Sequence, residues 1–143
     1  MTNDGTRKLE GFRAPTSVKI ALLWTSLMFL YIYNDYFSMY THGTIEDMVA
    51  GRFGPLGEAT EAVLVGVAIM LAIPALMIFM SVAIWPPASR WLNIILGLAY
   101  TAIEALTLPG SPLFYQIVVV LEIALTALIV WHALRWPKHA PTG

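Results

Sequence analysis

Four apolar stretches constrain this chain more than any other feature. They run at about 17–40, 61–84, 89–108 and 113–135. A helix needs about 20 apolar residues to cross the hydrocarbon core of a bilayer, and each stretch has roughly that length. Pro86-Pro87 divide the second from the third, and Pro109-Gly110-Ser111-Pro112 divide the third from the fourth. Both sequences break helices, and both connections are short, so the last three helices should pack as antiparallel neighbours. Composition agrees: of 143 residues, 58% are hydrophobic and 12% charged, with a mean hydropathy of +0.71. The expected fold is all-α, an integral membrane four-helix bundle.

Charge sets the expected orientation. Arg7, Lys8, Arg13 and Lys19 stand at the start of the first stretch, Arg90 lies at the second connection, and Arg135 and Lys138 close the fourth. All seven fall on one side of such a bundle, and only Arg52 falls on the other. The positive-inside rule then puts both termini in the cytoplasm. Residues 1–16 read as a polar cytoplasmic tail, 17–136 as the membrane domain and 137–143 as a second tail. The first apolar stretch is too long for a secretory signal and should stay in the mature protein. Trp85, Trp91, Trp131 and Trp136 map to the cytoplasmic interface, as anchoring tryptophans do. Tyr31, Tyr33, Tyr36, Tyr40, Tyr100 and Tyr115 map to the outer half.

The absence of cysteine excludes a disulfide, a thiolate nucleophile and a thiol redox relay. A formal charge of −1 without a basic patch argues against nucleic acid. His42 lies on the opposite side of the membrane from His132 and His139, which argues against a bis-His haem or a three-His metal site. A grouping of His42 with Asp35 and Glu61 is a weak metal candidate. Met70, Met77 and Met80 read as core filler. No metal or cofactor is expected.

The chemistry lies in the acids. Asp35, Glu104 and Glu122 stand well inside apolar stretches, and Glu61 stands at the edge of one. A charged carboxylate in hydrocarbon costs roughly 3 kcal/mol on insertion scales. Such a group takes up a proton, finds hydrogen-bond donors or binds a cation. By helical rise, Asp35 lies about 10 Å and Glu104 about 8 Å outward of the middle of their spans, and Glu122 within about 3 Å of the middle. The cytoplasmic half offers little beyond Thr25, Ser26, Ser81 and Asn93. That asymmetry describes an outward-facing pocket rather than a pore. Trp24, Met28, Tyr31, Asp35, Ser38 and His42 form one stripe at helical spacing. Asn93, Gly97, Tyr100, Thr101 and Glu104 form a second, and Tyr115, Glu122 and Thr126 a third. Each should face the interior. Tyr31 and Tyr100 are the expected donors to the carboxyls, and Asn34 is the amide beside them. Gly97 would admit a neighbouring helix, and Pro74 would free a backbone carbonyl near the midplane.

Two segments, YIYNDYFSMYTHGTIEDMVAG and IPALMIFMSVAIWPPASRWLNIILG, carry a family resemblance. Tyr33-Asn34-Asp35, Ile73-Pro74-Ala75-Leu76-Met77 and Ser89-Arg90-Trp91-Leu92-Asn93 are similar to motifs of a bacterial four-helix membrane family, domain-of-unknown-function family 6326. His42-Gly43 stands where that family has a Pro-Gly or similar turn. The resemblance covers most of the chain from Val18 onward; it implies topology and assigns no activity. Small multidrug-resistance transporters share only the architecture of four short spans with a membrane glutamate.

The expected protein is a small, multi-pass component of the bacterial inner membrane. Its acidic pocket (Asp35, Glu104, Glu122, Tyr31, Tyr100, Asn34, Glu61) binds or moves a proton, cation or small cationic ligand. The alternative is an accessory subunit of a larger membrane complex whose acids are protonated helix–helix glue. A lipid- or quinone-linked enzyme is disfavoured, because no nucleophile–base or metal motif is present. The expected partners are the bilayer and either a second copy or another membrane subunit. Topology is testable directly. Cysteines placed at Thr2 and Thr142 should label only from the cytoplasm, and one at Gly51 only from outside; termini labelled from opposite sides would contradict four spans.

Overall fold

The computed structural model describes residues 11–137, and the tail residues Arg7, Lys8, Lys138 and His139 lie outside them. The described residues are helical, with no strand among them. Helix α1 spans Thr16–Ser38, α2 Thr44–Val49, α3 Glu61–Ala83, α4 Pro86–Thr107 and α5 Leu113–Leu134. A 3₁₀ turn covers Gly54–Leu56.

Two boundaries differ from a plain reading of the breakers. Pro86 and Pro87 begin α4 instead of filling a gap before it. The first helical positions have no intrahelical use for an N–H, and proline's fixed φ already suits them. The 40–60 segment is not all loop, because Gly43 takes a left-handed φ of 86° and opens the short α2. Glu46 and Asp47 lie in its first turn, where the helix dipole favours negative charge. Arg52 donates back to Asp47.

By length and composition α1, α3 and α5 can each cross a membrane, and α4 does not reach the same apolarity. The reason is a polar stripe: Ser89, Asn93, Tyr100 and Glu104 are all buried on α4 together with Gly97. The opposite face of α4 exposes Trp91, Ile95, Leu98 and Leu106. Helix α4 packs on α5 and more lightly on α3, while α1 packs on both α3 and α5. One cluster of buried side chains draws Ile20, Trp24 and Leu27 from α1, Met77 from α3, Ile94 and Tyr100 from α4, and Ile129 and Ala133 from α5.

Two features draw the helices together. At Gly97 an added Cβ would lie 2.7 Å from Val130 Cγ2 and 3.5 Å from the Thr126 carbonyl oxygen, so α4 and α5 approach closely only because this residue lacks a side chain. Near the Trp24 end, Asn93 accepts from Trp24 Nε1 at 2.6 Å, and Ser81 Oγ lies 3.2 Å from the same oxygen. Its amide donates to the Ser89 carbonyl at 2.8 Å. Three helices thus share one fully buried amide.

Pro74 lies inside α3 and cannot donate to the carbonyl four residues earlier, which is that of Met70. The Tyr100 hydroxyl of α4 donates to that carbonyl instead. A freed backbone acceptor on one helix is satisfied by a side chain of its neighbour. The two defects are therefore coupled. Tyr100→Phe should destabilise the protein by about 1 kcal/mol. In a Pro74→Ala background, where residue 74 supplies its own N–H to Met70, the same change should cost much less. Reversible unfolding in bicelles measures this cycle, and additive effects would mean that the two sites are independent.

Candidate functional site

A cavity of about 130 Å³ lies at the end opposite the Asn93 network. All four long helices line it: Tyr31, Asn34 and Asp35 from α1, Met70 and Leu71 from α3, Tyr100, Ile103, Glu104 and Thr107 from α4, and Tyr115 and Glu122 from α5. Its wall holds three carboxyls and no Lys, Arg or His.

The stripe on α1 is displaced by one residue from the sequence expectation. Ile20, Trp24, Leu27 and Asn34 are buried with Tyr31 partly so, whereas Asp35 is exposed. Both registers share Trp24 and Tyr31, so helical spacing alone does not separate them. Burial of a neutral amide costs less than burial of a carboxylate, and the inward place falls to Asn34. Asp35 remains on the cavity wall at its rim.

Glu104 and Glu122 are both buried, at 4% and 2% exposure, but their surroundings differ. Tyr31 donates to Glu104 Oε1 at 2.5 Å, and Thr126 Oγ1 lies 3.2 Å from Glu104 Oε2. Thr101 donates to Thr126 Oγ1 at 2.7 Å. Each oxygen of Glu104 thus has a hydroxyl partner, and α1, α4 and α5 meet at this one carboxyl. Glu122 Oε1 is buried with no hydrogen-bond partner. The side chain of Asn34 faces the Glu122 carboxyl, and Asn34 Oδ1 is likewise buried without a partner. Native interiors leave few such atoms unpaired, so two together single out this part of the cavity wall.

Two residues assigned from sequence fall elsewhere. Tyr100 lines the cavity, but its hydroxyl serves the Met70 carbonyl and not a carboxyl, because Pro74 leaves that acceptor free. Glu61 is exposed in the first turn of α3 and does not line the cavity. Thr60 caps that helix, accepting from the Val63 N–H at 3.3 Å, and Glu61 faces the positive end of the dipole. Among the described residues no three His, Asp or Glu side chains come together as a metal site, which removes the grouping of His42, Asp35 and Glu61. Thr101 is the participant that sequence reading placed on the α4 polar face without assigning a role. Its four-residue step from Gly97 is the available signal, since a threonine so placed stands beside a carbonyl of its own helix, here at 2.8 Å, and can turn its hydrogen either there or to Thr126.

These features define an all-helical protein with three helices fit to span a membrane and an acid-lined cavity between its long helices. The chain belongs to a family of unknown function, DUF6326, whose model matches residues 10–142. No curated protein and no solved structure matches it.

Proposed function

We propose that this is a four-span inner-membrane protein, both termini cytoplasmic, whose outer-half acidic cavity binds a proton, cation or small cationic ligand. Inclusion of α4 as a span is supported by its two faces. Its polar groups turn inward, and Trp91, Ile95, Leu98 and Leu106 offer lipid an apolar surface. Placement of the cavity in the outer half rests on the basic residues clustered at the other end. There Arg90 Nε donates to the Ala133 carbonyl at 3.1 Å, and the Arg135 guanidinium lies 3.7 Å from the Trp131 ring centre.

The observation that carries this reading is the unpaired state of Glu122 Oε1 and Asn34 Oδ1 in a wall with three carboxyls and no base. A pocket suits the geometry better than a pore. Beyond Thr101, toward the Trp24 end, the interior is filled by Ile20, Trp24, Leu27, Ile94 and Ile129, and the Asn93 amide is already satisfied.

The alternative of helix glue is supported at one residue. Glu104, held by Tyr31 and Thr126, ties three helices and needs nothing further. Glu122 Oε1 has no hydroxyl partner of this kind, so the two acids divide the roles between them.

The test is thermal unfolding in lipid nanodiscs. The stability of the native chain should fall as pH rises in cation-poor buffer, because a proton that neutralises a buried carboxyl is lost. A bound cation at one hundred times its Kd should restore about 2.7 kcal/mol. The double variant Asp35→Asn/Glu122→Gln should lose both responses. Responses equal to those of the native chain would contradict a binding pocket.

A further inference from the structure

The hydrogen-bond inventory around Glu122 lacks one hydrogen. Glu122 Oε1 and Asn34 Oδ1 are both acceptors, both closed off from solvent, and neither receives a donor. Their residues are 2% and 5% exposed. These two atoms are closed to a hydrated metal ion or an organic ammonium, either of which would have to bind other oxygens of the wall, such as those of Asp35 at the rim. A proton needs no such room. We infer that the resident ligand of this cavity is a single proton, carried on Glu122 and donated to the Asn34 side-chain carbonyl, while Glu104 remains a carboxylate.

The surrounding groups support this division. From α1, Tyr31 and Asp35 face the cavity; from α4, Tyr100 and Glu104; from α5 itself, Tyr115; the α3 wall is Met70 and Leu71 and has no ionisable group. None of these is a base that could carry positive charge next to Glu122. Tyr31 gives its hydrogen to Glu104, and Tyr100 gives its own to the Met70 carbonyl, so neither hydroxyl is free to serve Glu122. An ionised Glu104 already accepts from Tyr31 and has the Thr126 hydroxyl 3.2 Å from its other oxygen. A second charge on Glu122 would repel it and would leave Oε1 unsolvated. Paired acids whose surroundings differ in this way tend to separate into one that holds a proton and one that holds a charge. Asn34 suits the post because its amide offers a carbonyl to an acid and, after a half-turn, an N–H to a carboxylate. Binding and release then require only that turn and the movement of one proton between Glu122 and the cavity. No other bond forms or breaks.

This inference rests on the cavity being the binding site, and its test separates the two. Infrared spectra of the full chain in lipid, near neutral pH with hydrogen–deuterium exchange, report protonated carboxyls through their C=O stretch. The native chain should show one such band from the buried acids. Glu122→Gln should abolish it, and Glu104→Gln and Asp35→Asn should leave it in place. Asn34→Leu should move it to higher frequency, because the acid loses its acceptor; this readout holds even if Glu122→Gln folds poorly. A band that survives Glu122→Gln, or that vanishes with Glu104→Gln or Asp35→Asn, overturns the assignment. A cation response that persists beside such a result would leave the cavity intact as a site for another ligand. A band lost only in Glu122→Gln, with no cavity response to pH or cations in unfolding, would instead reduce Glu122 to a structural acid.

Discussion

Asn93 accepts from Trp24, lies against the Ser81 hydroxyl and donates to Ser89, so one amide brings α1, α3 and α4 together. The rest of the structure depends on the constraint that this network meets. Helices with apolar outer faces leave each polar side chain only one favourable direction, which is inward, and once inside it must find a partner. At the Trp24 end the partners are complete. Ser89 Oγ lies 3.2 Å from the Ser81 carbonyl, and Ser81 Oγ bonds the Met77 carbonyl at 2.6 Å. Polar groups there lock the helices and leave nothing open to a ligand.

The other end meets the same constraint only in part. Pro74 costs α3 a hydrogen bond that Tyr100 returns. Glu104 costs a buried carboxyl that Tyr31 and Thr126 offset. Among the described residues, Glu122 Oε1 and Asn34 Oδ1 have no such answer. The contrast between two glutamates on facing helices separates structure from function more clearly than the count of acids does. Gly97 contributes indirectly, because the close approach of α4 and α5 brings Glu104 within reach of Thr126.

Much of this was legible in the chain. Apolar length marked the long helices, and the interruption at Pro74 announced a free carbonyl. The interior stripe on α4 was visible at helical spacing because that helix is polar on one side only. On α1 the spacing was ambiguous. Tyr31 belongs to two registers, one that buries Asn34 and one that buries Asp35, and only packing against α5 distinguishes them. Tyr100 shares a depth with the carboxyls in the sequence, but sequence does not show that the Met70 carbonyl is the nearer acceptor. The position of Glu61 at a span boundary suggests the pocket, whereas a boundary that begins a capped helix draws an acid for local reasons. The Asn93 network was the least legible element, since its partners come from three helices.

The central claim is that Glu122 Oε1 receives no hydrogen bond from any hydroxyl or base of the protein. A high-resolution experimental structure of the full chain in lipid tests that most directly. It should show Trp91, Ile95, Leu98 and Leu106 against acyl chains. It should also show Glu122 paired with the Asn34 side chain, with no hydroxyl, backbone amide, Lys or Arg of the chain or of a neighbouring copy within hydrogen-bond distance of Glu122 Oε1. A basic or hydroxyl side chain bonded to that oxygen, from the same chain or from a second one, would complete the inventory and contradict the proposed site.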